Sequence, residues 1–87
     1  MPRFLIQRVL GDITDEQLDA AADASTRVRE ERFPDVTWEQ TQVVRTDDGF
    51  TAYCLYAAPS EQRIRAHAAA AGLPTDEVHE IERELAP

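Results

Sequence analysis

Two side chains could hold a transition-metal cation, the single cysteine Cys54 and His67. A thiolate is a soft donor and a neutral imidazole nitrogen a borderline one, a pairing suited to Ni, Cu, Zn or Co. Two donors do not complete a coordination sphere. Others would have to come from carboxylates such as Glu80 or Glu61, from His79, from water or from a second subunit. Neither CxxC nor HxxxH spacing is present to strengthen this reading. The competing explanation is burial, the usual state of a free cysteine and of a histidine on the flank of a helix. The same pair could serve as a cysteine nucleophile with a histidine base. Gly11, Gly49 and Gly72 are all accounted for by turns or a helix end, so nothing is left to build an oxyanion hole, and an enzyme is the weaker expectation.

The elements that position these residues can be read from pattern. Residues 3–10 are rich in Phe, Leu, Ile and Val and stop at Gly11-Asp12, which marks a strand. Phe4 and Ile6 would face one side, Leu5 and Val9 the other. Thr14 and Gln17 form a capping box, and Leu18, Ala21, Ala22, Ser25, Val28 and Arg32 follow at helical spacing, so a helix is expected to end near Arg32, ahead of Pro34. Residues 36–44 and 50–56 are two strands around Thr46-Asp47-Asp48-Gly49, a hairpin whose register the turn does not fix. Val36, Trp38 and Val44 are expected on one side of it. Ser60 caps a second helix carrying Ile64, His67, Ala68 and Ala71, and Gly72-Leu73-Pro74 is a Schellman-type ending. Residues 77–85 are expected as a final edge strand on which Glu80, Glu82 and Glu84 share a wet face.

The order β-α-β-β-α-β over residues 1–87 is that of one ferredoxin-like domain, α+β, with an antiparallel sheet and two helices on one face. Apolar residues on both sides of the first strand, with Trp38, Phe50 and Tyr56 to cover in the hairpin, point to a homodimer through the other sheet face. Trp38, Tyr53 and Tyr56 could line a pocket. That pocket is the basis of the alternative to a metal protein: a cofactor-free enzyme or small-ligand binder of the dimeric α/β-barrel type.

Composition narrows the partners. The formal net charge is −8, and the nine basic residues, all arginine, are dispersed rather than gathered into a stripe, which argues against nucleic acid and anionic membrane. No apolar run has the length of a membrane span, and the first residues lack the apolar core of a secretory leader. With one cysteine in the chain, a reducing cytoplasm is the expected location.

The segments Met1-Pro2-Arg3-Phe4, Val36-Thr37-Trp38, Cys54 to Ser60, Ile64-Arg65-Ala66-His67-Ala68 and Ala71-Gly72-Leu73-Pro74 together resemble a family of small bacterial proteins. That family is a domain of unknown function with a nickel-binding, nickel-responsive member. The resemblance implies a ferredoxin-like homodimer that binds nickel at the dimer surface and acts in metal sequestration or response. It implies Cys54, His67 and Glu80 as metal ligands, with Tyr56 also on a family position. Where the family typically reads Tyr-Glu-Ala-Pro, this chain has Tyr56-Ala57-Ala58-Pro59, one carboxylate fewer.

Overall fold

The computed structural model describes residues 1–87 and contains six elements: β1 (Arg3–Gly11), α1 (Asp15–Arg32), β2 (Thr37–Thr46), β3 (Gly49–Ala57), α2 (Glu61–Ala71) and β4 (Glu77–Glu80). The strands form one antiparallel sheet in the order β2-β3-β1-β4, and this is the expected ferredoxin-like arrangement. No helix is long and apolar enough to cross a membrane.

Helix boundaries fall where the capping residues put them. Gln17 N–H donates to Thr14 Oγ1 at 3.1 Å and Thr14 N–H to Gln17 Oε1 at 2.9 Å, satisfying two of the otherwise unpaired groups of the first turn. Arg63 N–H donates to Ser60 Oγ at the start of α2. At its end, Leu73 N–H reaches Ala68 O at 2.9 Å and Gly72 N–H reaches Ala69 O at 3.3 Å, with Gly72 in the left-handed region. Arg63 of α2 also grips Asp35 between α1 and β2 through Nε and Nη2, at 3.0 and 2.9 Å. The pairing lowers the Asp35 pKa and raises that of Arg63.

The core lies between the helices and one sheet face. Phe4 and Ile6 of β1, Ala52, Cys54 and Tyr56 of β3, and Ile64 of α2 are its center, closed at one end by Phe33 and Val36. Leu5, Val9 and Tyr53 are exposed on the opposite face. Phe50 and Tyr56, by contrast, are buried on the helix side, so the open face owes its apolar character to Leu5, Val9, Val44, Tyr53 and Leu55.

Two expectations need correction. Trp38 and Val44 do not share a side, because Glu39 is an extra residue between the pairs Trp38–Tyr56 and Gln40–Leu55. Such a bulge inverts the alternation beyond it. Trp38, Thr41 and Val43 therefore lie on the helix side, opposite Tyr56, Cys54 and Ala52, and Val44 lies on the open face. The last strand covers only four residues. It runs antiparallel to β1, whose pairing ends near Arg3, so after Ile81 N–H donates to Arg3 O at 2.8 Å there is no partner left. Glu82 and Glu84 thus leave the sheet, and Glu84 pairs with Arg3 instead.

Asp47 and Asp48 form a two-residue turn without positive φ, and Gly49 takes φ of +100°. A Cβ at Gly49 would collide with the backbone of Gly11 and Asp12, whereas one at Gly72, φ +71°, would meet nothing within 4 Å. Gly72→Ala is expected to cost the left-handed penalty alone, about 1 kcal/mol. Gly49→Ala adds the collision and should cost more, by at least about 1 kcal/mol. Urea denaturation of the two variants checks this, and equal losses would contradict it.

Candidate functional site

His67 is fully buried on the inner side of α2. Its Nε2 lies 3.1 Å from the Ser25 carbonyl oxygen of α1 and 3.5 Å from Ser25 Oγ, and Phe33 meets the ring edge-on with centroids 5.6 Å apart. A carbonyl only accepts, so Nε2 carries the proton and the lone pair of the neutral ring sits on Nδ1. Burial lowers the His67 pKa. The Ser25 carbonyl acts in the opposite direction, and the Arg8 and Arg29 cations depress it further. Ser25 is small enough to let α1 and α2 approach and supplies the acceptor as well.

Cys54 of β3 is also buried, paired with Ile6 on one side and Thr41 on the other. Glu80 lies on β4 opposite Phe4 and is exposed. No group of three or more His, Cys, Asp or Glu side chains of the chain is placed to hold a metal ion.

Between α1 and the helix-side face of β2 and β3 runs a cleft of about 260 Å³. Trp38, Tyr56 and Cys54 line it together with Leu18, Val43 and Leu73. Trp38 Nε1–H donates to Thr41 Oγ1 at 2.8 Å, and the Arg29 guanidinium lies 5.6 Å from the indole centroid. Of the three aromatics expected in a pocket, Trp38 and Tyr56 meet here and Tyr53 does not. Tyr53 lies on the open face, in a shallow depression with Leu5, Gln7, Glu77 and His79, where His79 Nε2 is 2.9 Å from Glu77 Oε1.

Arg8 also lines the cleft and was not anticipated as a functional residue. It is only 2% exposed. Its Nη1 donates to Pro74 O at 2.8 Å and Thr75 Oγ1 at 3.3 Å, while Nε and Nη2 have no partner. The signal was present in the sequence: Arg8 has the same parity as Phe4 and Ile6, which places it on the inward face of β1.

The profile of the family described as nickel responsive protein SCO4226-like matches residues 4–81, nearly the whole βαββαβ unit. The chain belongs to the SCO4226-like family. A solved structure, the crystal structure analysis of SCO4226 from Streptomyces coelicolor A3(2), is similar with a TM-score of 0.78 and 28% identity. The similarity covers 95% of this chain and 99% of that one. No curated protein matches. The small bacterial family that the sequence resembles is therefore the family to which it belongs.

His67 makes stability depend on pH. Its folded pKa lies below the unfolded value near about 6.5, so below that value the unfolded chain binds more protons than the folded one. Stability is fully present above the unfolded value and falls as the pH drops through it toward the folded pKa. The lowered Asp35 and Glu39 carboxyl groups add their losses only near and below the ordinary carboxylate range. His67→Gln is expected to flatten the upper part of this profile, as measured by urea midpoints across the weakly acidic range. A profile as steep as that of the parent would place its origin elsewhere.

Proposed function

We propose that the protein binds nickel and serves in nickel sequestration or response as a homodimer joined through its open sheet faces. Membership of a nickel-responsive family over residues 4–81 carries this reading. The open face adds support for the dimer. In a chain of net charge −8, this face has a neutral center of Leu5, Val9, Val44, Tyr53 and Leu55, with charges at its edges. Only 15 of 87 residues are buried in one subunit, so covering this face adds burial that a small domain lacks.

Donors of two kinds are available. Cys54 and His67, with Glu80 on the same side of β4, are the set implied by the resemblance. A nickel ion there requires His67 to present Nδ1, or to give up its Ser25 acceptor, within a packed core. His79 and Glu77 are exposed on the open face, and a twofold axis through that face would double them. Imidazole with carboxylate and water suits nickel, and this pair can bind without unpacking the core, so we assign the ion to it.

Nickel titrated calorimetrically into tag-free protein is expected to bind saturably, more weakly as pH falls through the histidine range. His79→Ala should weaken binding by about tenfold or more, and Cys54→Ala should leave it unchanged. Loss in Cys54→Ala or His67→Gln with retention in His79→Ala would move the ion to the core set. Absence of saturable binding overturns the nickel reading. Light scattering tests the dimer separately: the parent should have twice the chain mass and Tyr53→Arg the mass of one chain. A monomeric parent rules out the pairing.

A further inference from the structure

Three of the four arginines on the first strand and second helix differ in one respect. Arg3 holds Glu39 through Nε and Nη2, at 2.9 and 2.8 Å, and Arg63 holds Asp35 through the same edge, at 3.0 and 2.9 Å. Arg8 has this Nε–Nη2 edge free, although it is far more buried than either. A guanidinium edge of this kind is matched to the two oxygens of a carboxylate. No acidic side chain of the protein fills it. Asp19 lines the same cleft without bonding to Arg8, and nearby Asp76 accepts from Val9 N–H.

We propose that the cleft between α1 and the sheet binds a small amphipathic carboxylate. Its acid group pairs with Arg8 Nε–H and Nη2–H, which are shut off from solvent in the unliganded structure, so binding displaces the cleft wall beside the guanidinium, and its hydrocarbon part lies against Leu18, Trp38, Val43 and Leu73. The lining is predominantly apolar, and the volume of about 260 Å³ is at the small end for a ligand cavity, which favours a short-chain acid over a nucleotide or other large ligand. The desolvation of Arg8 is already incurred in folding, so a bound acid adds only its own. In the low-dielectric surroundings of a buried guanidinium, the resulting charge-assisted pair is stronger than at the surface. Pro74 O and Thr75 Oγ1 hold the opposite edge of the guanidinium and fix its plane before any ligand arrives. This site is on the helix side of the sheet, away from His79 and Glu77, and does not rest on the nickel reading.

The test uses metal-free protein with octanoate, hexanoate, acetate and octanol as probes, read by calorimetry and by thermal shift. Octanoate is expected to bind saturably and raise the melting temperature. Each methylene removed should weaken binding about fourfold, and octanol should bind at least about tenfold more weakly than octanoate. Arg8→Met should abolish the preference for octanoate over octanol. Because that change also removes the Pro74 and Thr75 contacts, a second variant leaves Arg8 in place. Ala22 is an exposed residue of α1 on the cleft wall, and Ala22→Phe should fill the cleft and eliminate octanoate binding while the far-UV circular dichroism stays that of the parent. The proposal is overturned if octanoate fails to bind, if octanol or acetate binds equally well, or if Ala22→Phe leaves octanoate affinity unchanged.

Discussion

The alternation of side chains along β1 is the constraint on which both the core and the cleft depend. β1 is an interior strand, paired with β3 on one side and β4 on the other, and its inward row is Phe4, Ile6 and Arg8. A strand cannot turn one of these outward without turning the rest, because a shift of one residue exchanges the two faces. Burying Phe4 and Ile6 is worth about 1.5–3 kcal/mol each, while burying an unpaired cation costs several kcal/mol. The row persists because the Pro74 carbonyl, the Thr75 hydroxyl and the face of Tyr56, 5.8 Å from the guanidinium, offset part of that cost. These contacts also tie the connection between α2 and β4 to the center of the sheet.

From this row follow the properties of two of the buried polar side chains, Arg8 and His67. His67 faces the same interior as Arg8, and the cation helps keep its ring neutral. A neutral ring with Nε2–H directed at Ser25 O is a satisfied buried histidine, and it joins the two helices at the point where small residues bring them close. The residues α1 turns toward β2 and β3 are Leu18, Asp19, Ala21, Ala22, Ser25 and Thr26, mostly small. They leave the gap above Trp38 and Val43 unfilled, and the bulge at Glu39 turns those two side chains into it. The cleft is thus the joint product of an alanine-rich helix and one extra residue in an edge strand.

The legible parts of the fold were those encoded by local chemistry. Thr14, Gln17, Ser60 and Gly72 marked helix ends because each satisfies or permits a particular backbone arrangement, whatever the tertiary context. The element order followed from these ends. The Glu39 bulge was not legible, since nothing in Val36-Thr37-Trp38-Glu39-Gln40 distinguishes an extra residue from a regular one; it is defined by the partner strand. The length of β4 was hidden for the same reason, because it depends on where β1 stops offering partners. Cys54 and His67 were found by residue type, and burial, the competing explanation for both, is what the structure shows, whereas Arg8 was overlooked because a charged residue in a strand is ordinarily assigned to the solvent side.

The sheet separates the two candidate chemistries, and the period of two in β3 shows how. Tyr53 faces the open depression with His79 and Glu77, and its neighbour Cys54 faces the cleft with Arg8. Donors suited to a hydrated metal ion are on the exposed side, where water can complete a coordination sphere. The unmatched cation is on the dry side, where an organic anion gains most. Cys54 is soft enough for nickel, but its surroundings are those of a packed apolar side chain, among Phe4, Ile6, Tyr56 and Ile64. Residue type suggests what a side chain can bind; the partners it already has decide whether a ligand must displace them. By that criterion His79 and Arg8 have binding capacity to spare, and His67 does not.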